Sequence, residues 1–94
     1  MLDIAELGFI VLTPGVLKNI HSKPDRIAEV QKAFERYMRE DWGNLDSHDW
    51  EIVDSRRKNG TGALQGAYDL SFNEVFIITE IDRSVTTILL PMER

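Results

Sequence analysis

The sequence predicts one two-layer α+β domain over residues 1–94, with helices packed on one face of an antiparallel sheet of about four strands in chain order β-α-α-α-β-β-β. Three observations predict it. Asn73–Glu80 and Ser84–Pro91 are strongly apolar strand segments joined by the short polar turn Ile81-Asp82-Arg83-Ser84, and such a hairpin needs a packed partner. Apolar residues from Ile27 to Met38 recur at helical spacing, which supplies that partner. With 94 residues there is room for one hydrophobic core, burying roughly 60–65% of the extended-chain surface.

The elements follow in order. Leu7–Leu12 carries the continuous run Phe9-Ile10-Val11-Leu12, the pattern of a strand covered on both faces. Thr13-Pro14 reads as an N-cap followed by proline at the first helical position, opening a short helix that bears Val16, Leu17 and Ile20. Ser22-Lys23-Pro24-Asp25 predicts a second helix start, with Ser22 accepting from the Asp25 N–H in a capping box. Ile27, Val30, Phe34 and Met38, supported by Ala28 and Tyr37, form its apolar stripe, while Glu29 with Lys32 and Glu35 with Arg39 form pairs on its outer face. After Gly43, Asp46 caps a third helix running to about Lys58. Leu45 and Trp50 are placed as a hydrophobic staple, Arg56-Arg57-Lys58 complement the dipole, and Asn59-Gly60 is the stop. Ala63–Leu70 is a weaker strand that joins the terminal hairpin as an antiparallel meander. The expected core sets Val11, Ile77, Ile88 and Leu90 of the sheet against Ile27, Val30, Phe34 and Met38.

Composition narrows the function classes. Hydrophobic residues make up 43% and charged residues 29%, too apolar a balance for intrinsic disorder. Without cysteine there is neither a disulfide framework nor a thiolate metal site, and the apolar runs Val75–Ile78 and Ile88–Leu90 fall far short of a membrane span. Met1-Leu2-Asp3 carries an acid where a signal peptide wants a base, so the expected location is cytoplasmic. Sixteen acids against eleven bases give a net charge of −5. The excess concentrates in Glu40, Asp41, Asp46, Asp49, Glu51 and Asp54, with no base among them, a segment that repels nucleic acid and attracts a basic protein surface.

No nucleophile motif, glycine-rich phosphate loop or metal signature appears. His48 and Glu51 have the i,i+3 spacing of two metal ligands on one helix face, yet a site needs three or four, and Asp46 and Asp49 have roles at the helix start. Glu80, Asp82 and Arg83 cluster at the hairpin tip, where carboxylates can do acid–base work and where a polar turn selects the same residues for backbone reasons. Thr86, Thr87 and Ser84 read as strand formers rather than nucleophiles. Trp42 and Trp50 lie inside the acidic segment. Trp50 reads as a core anchor; an exposed Trp42 beside acids has the composition of a binding hot spot.

Asp41-Trp42-Gly43-Asn44-Leu45-Asp46 and the run Ile78-Thr79-Glu80-Ile81-Asp82-Arg83-Ser84-Val85-Thr86-Thr87-Ile88-Leu89-Leu90-Pro91 resemble a family of small plasmid-related proteins of bacterial mobile elements. The family pattern has glycine where this chain has Glu40 and aspartate where it has Asn44. The family has no established activity to carry over, so the resemblance implies a genetic setting more than a mechanism. In that setting, small acidic cysteine-free proteins resemble anti-CRISPR or anti-restriction inhibitors.

The expected function is therefore a non-enzymatic binding protein without cofactor or metal. It would occupy a basic nucleic-acid-binding surface of a host defence nuclease through Glu40, Asp41, Trp42, Asp46, Asp49, Glu51 and Asp54, without binding nucleic acid itself or a membrane. An alternative is a small ligand-binding or enzymatic domain walled by Glu80, Asp82, Arg83 and the residue 41–46 loop, with a divalent metal near His48. A third is a homo-oligomeric accessory protein whose hairpin edge pairs with another copy.

Overall fold

The computed structural model describes residues 1–94. In chain order it has β1 (Phe9–Leu12), α1 (Pro14–Ser22), α2 (Arg26–Met38), α3 (Ser47–Asn59), β2 (Leu64–Asp69), β3 (Glu74–Thr79) and β4 (Val85–Leu89), with 3-10 turns at Ile4–Glu6 and Pro91–Glu93. This is the expected α+β order, with helices on one face of a four-stranded sheet.

The sheet is mixed. β2, β3 and β4 form the antiparallel meander, but β1 lies parallel to β4, from Phe9 opposite Val85 to Leu12 opposite Ile88. Strand order is β1-β4-β3-β2, so the terminal hairpin occupies the middle and β1 and β2 are the edges. Three helices separate β1 from the meander, and a crossover of that length allows a parallel return.

Alternation along the strands sorts the faces. Ile10, Leu12, Leu64, Tyr68, Val75, Ile77, Thr79, Thr86 and Ile88 share the register positions that turn toward the helices, and all but Ile10 and Leu12 are buried. Phe9, Val11, Val85, Thr87, Phe76 and Ile78 take the opposite face and each retains exposure, while Ala67 and Leu89 on that face are buried and Arg94 lies over Phe76. The core is Leu2, Leu7, Val16, Val30, Ala33, Tyr37, Trp42, Val53 and the helix-facing sheet residues.

Helix α2 buries Val30, Ala33 and Tyr37, with Phe34 and Met38 at the margin and Ile27 and Ala28 exposed. The buried stripe is thus rotated from the one predicted, and Tyr37, whose phenol finds a buried partner, replaces Phe34 at its centre. The capping box at Ser22 does not form, because α1 continues through Ser22 and α2 starts from Asp25 in helical conformation without a side-chain cap. Glu29 turns from Lys32 to accept from the N–H and hydroxyl of Ser71 at 2.7 and 2.6 Å. The start of α3 is as expected: Asp46 accepts from the Asp49 N–H at 2.8 Å, and Gly60, left-handed, stops the helix. Leu45 and Trp50 both pack against the core.

Helix α2 ends in a Schellman turn, with the Glu40 N–H on the Tyr37 carbonyl and the Asp41 N–H on the Arg36 carbonyl, at 2.9 Å each. That turn requires a left-handed residue at position 40, and Glu40 adopts φ 64°. Glycine is the residue that occupies such a position without steric cost.

Candidate interaction surface

The acidic segment folds into a clasp over the β2 edge. Asp41 accepts from Arg36 Nε at 2.8 Å and from the Gly43 N–H at 3.0 Å, and the Arg36 hydrogen bond holds its carboxyl below the usual carboxylate range. Gly43 bridges to Ala67, whose N–H donates to the Trp42 carbonyl at 3.1 Å and whose carbonyl accepts from Asn44 at 2.7 Å. A Cβ at position 43 would sit 2.0 Å from the Ala67 oxygen, so glycine is required there.

The expectation of an exposed Trp42 is corrected: its exposure is 0%. The indole meets Tyr37 edge-on at 5.3 Å between centroids and donates Nε1–H to Asp54 at 2.7 Å. With 94 residues and two tryptophans, the domain fills its core with the larger hydrophobe and satisfies the one polar atom with a neighbouring carboxylate. Glu40 faces the chain's N-terminal amine at 2.6 Å and Arg57 at 3.6 Å. Asp46 is spent on its cap, and only Asp49 and Glu51 stand exposed without a structural partner. The predicted acids are therefore adjacent in space, yet Arg36, Arg57 and the terminal amine offset much of their charge.

At the hairpin tip, Asp82 accepts from the Ser84 N–H at 3.0 Å and hydroxyl at 2.6 Å, and these bonds lower its pKa. Arg83, at φ 61°, donates to the carbonyls of Gly62 at 2.8 Å and Glu80 at 3.3 Å. The polar-turn reading describes these residues, and they line none of the larger cavities. No group of three metal-ligating side chains converges around His48 or elsewhere.

The surface that the structure leaves unfinished is around β1. The strand predicted to be covered on both faces is an edge, with Phe9 82% exposed and Ile10 and Val11 each 42%. The free edge is consequently β1, since both strands of the terminal hairpin are paired on either side. Phe9 and Thr13 donate their N–H groups to Ser84 and Ile88 of the β4 side at 3.0 and 3.1 Å. Parallel pairing uses alternate residues, so the N–H and C=O of Ile10 and Leu12 point to the free edge. On the helix side an apolar groove of about 650 Å³ runs beside the strand between Ile10, Leu12, Leu17, Ile20, Ile27 and Phe34. On the other side Phe9 and Val11 extend the opposite sheet face.

No lysine, proline or bulge protects this edge, although natural edge strands are commonly blunted by one of these devices. The sequence signal for it was the run Phe9–Leu12, which has the same composition in an enclosed strand and in an unprotected edge. The opposite edge is covered by the 42–44 clasp. No helix is long and apolar enough to cross a membrane. Comparison with protein-family models, with curated proteins and with solved structures finds no match for this chain.

Proposed function

We propose that the chain is a non-enzymatic protein-association module that works by strand addition at the free edge of β1. The observation that carries this reading is the bare edge: outward main-chain groups at Ile10 and Leu12, apolar side chains on both faces of the strand, and no lysine, proline or bulge within its four residues. Strand addition takes its affinity from main-chain hydrogen bonds and its selectivity from the side chains seated alternately on either face. The polar clusters at 40–54 and 80–84 fit a structural role, since most of their members hold a loop, a cap or a turn.

A second reading keeps the acidic surface as the docking site of an anti-CRISPR-like inhibitor on a basic face of a host defence nuclease. It is favoured by Asp49 and Glu51, exposed on the first turns of α3 beside the Asp46 cap. One experiment separates the two. Proteins retained by the tagged chain are compared for the wild type, Ile10→Pro and the double variant Asp49→Lys with Glu51→Lys. Retention lost only in Ile10→Pro is the expected result. Retention lost only in the charge reversal, with binding that weakens at physiological salt, overturns strand addition in favour of the acidic surface.

A further inference from the structure

We infer that the strand added at β1 is β1 of a second copy, so that two chains join about a two-fold axis into one eight-stranded sheet; this rests on strand addition at β1. The outward residues make the strand self-complementary. With the axis at Val11, an antiparallel neighbour sets Ile10 opposite Leu12 of the other copy, and again in reverse. Both are the residues whose N–H and C=O are free, so about four hydrogen bonds close across the seam. Val11 then meets its own counterpart as the close, non-hydrogen-bonded pair, apolar against apolar, and an isologous interface needs that kind of self-match.

Charge favours this occupant. None of the four β1 residues is charged, although the chain carries −5. The Glu40–Asp54 clasp lies at the opposite edge, three strand spacings or about 14 Å from β1. Across a β1 seam the two β2 edges that carry the clasps stand seven strand spacings or about 34 Å apart, well beyond the Debye length of about 8 Å at physiological salt. Of the acids nearer the seam, Glu6 is paired with Arg57, Asp82 is held by Ser84, and Glu93 accepts from Thr13 and Gly15. Asp3 accepts from the Ala5 N–H at 3.3 Å, and the groove-rim Glu35 has no such partner.

Area sets the remaining condition. A stable interface buries about 800 Å² on each partner, roughly a seventh of this chain's 5626 Å². Four paired residues alone fall short. Six of the ten exposed large hydrophobics, Ile4, Phe9, Ile10, Val11, Leu17 and Ile27, sit on β1 or along its groove, however, and they extend the seam on both faces.

The test is sedimentation equilibrium of the full chain over a wide concentration range, with hydrogen exchange read at single amides. A dimer is expected, with the Ile10 and Leu12 amides gaining protection as concentration rises while Val11, already turned toward β4, stays unchanged. Ile10→Pro deletes an N–H that the fold does not use, and Val11→Lys sets two cations face to face on the axis. Each is expected to weaken the dimer at least tenfold while circular dichroism remains native. If either variant unfolds, the amide pattern of the wild type decides alone. A wild-type chain that stays monomeric, or a dimer in which those two amides exchange freely, overturns the second copy as the occupant. In that event an extended peptide of alternating valine and threonine is titrated against the monomer. Protection of the same two amides leaves strand addition standing; its absence removes both proposals.

Discussion

The phenol of Tyr37 and the hydroxyl of Thr79 lie 2.7 Å apart across the helix–sheet interface, and the proton on that bond belongs to Tyr37. The direction follows from the far end of the chain of hydroxyls. Thr86 gives its only proton to the Leu7 carbonyl at 2.8 Å, so it accepts from Thr79 at 2.7 Å, and Thr79 in turn accepts from Tyr37. Three side chains thus tie α2, β3 and β4 to the segment that leads into β1, entirely within the core.

Breaking that chain at different links has unequal costs. Thr86→Val leaves both the Leu7 carbonyl and the Thr79 proton without partners and is expected to cost about 2–3 kcal/mol, whereas Tyr37→Phe removes only a terminal donor and costs about 1 kcal/mol. Urea denaturation of the two variants checks the order, and equal losses would contradict the assigned direction.

Burial pushes the Tyr37 phenol up to about 12 and raises Tyr68 as well. The folded-state value lies above the ordinary 10, so the neutral form is favoured by folding. The associated stability is fully present below pH 10 and is lost as pH rises from 10 to 12, by about 2–3 kcal/mol for Tyr37. Denaturation midpoints measured from pH 8 to 12 are expected to fall over that window, and to fall less in Tyr37→Phe.

The buried indole makes a spectroscopic prediction. Trp42 should be shielded from iodide, and the quenchable emission should disappear with half-buried Trp50 in a Trp50→Phe variant. Asp54→Ala strands the Trp42 Nε1–H and is expected to cost about 1–3 kcal/mol, and Trp42→Ala about 3–5 kcal/mol.

Glu40 offers a test of backbone strain. Glu40→Gly removes the left-handed penalty together with two ion pairs, while Glu40→Ala removes the ion pairs and keeps the penalty. The glycine variant is expected to be the more stable by about 1 kcal/mol in chemical denaturation.

What the sequence made legible was whatever short-range chemistry decides. Asp46 and Gly60 bracket α3 because a cap and a left-handed stop are local, and the β2-β3-β4 meander follows from adjacent strands with tight turns. Illegible were features set by partners distant in the chain. Phe9–Leu12 has the same composition whether enclosed or bare, and only its place beside β4 decides. Trp42 is a hot-spot residue by type and a core plug by position. Ile4, Leu17 and Ile27 join the β1 surface from three separate elements, a convergence that no spacing within one element encodes.

Placing the first strand beside the last has a consequence for how the chain acquires its shape. Thr86 reaches Leu7 across 79 positions, and Glu93 reaches Thr13 across 80. Local helices and the meander can assemble early, but β1 has no ladder to join until the final strand is available, and closing a loop of that length comes late and slowly. During synthesis the apolar stretch Phe9–Leu12 therefore waits unpaired until β4 has been added. A chain shortened by even its final strand would leave that stretch with no partner of its own.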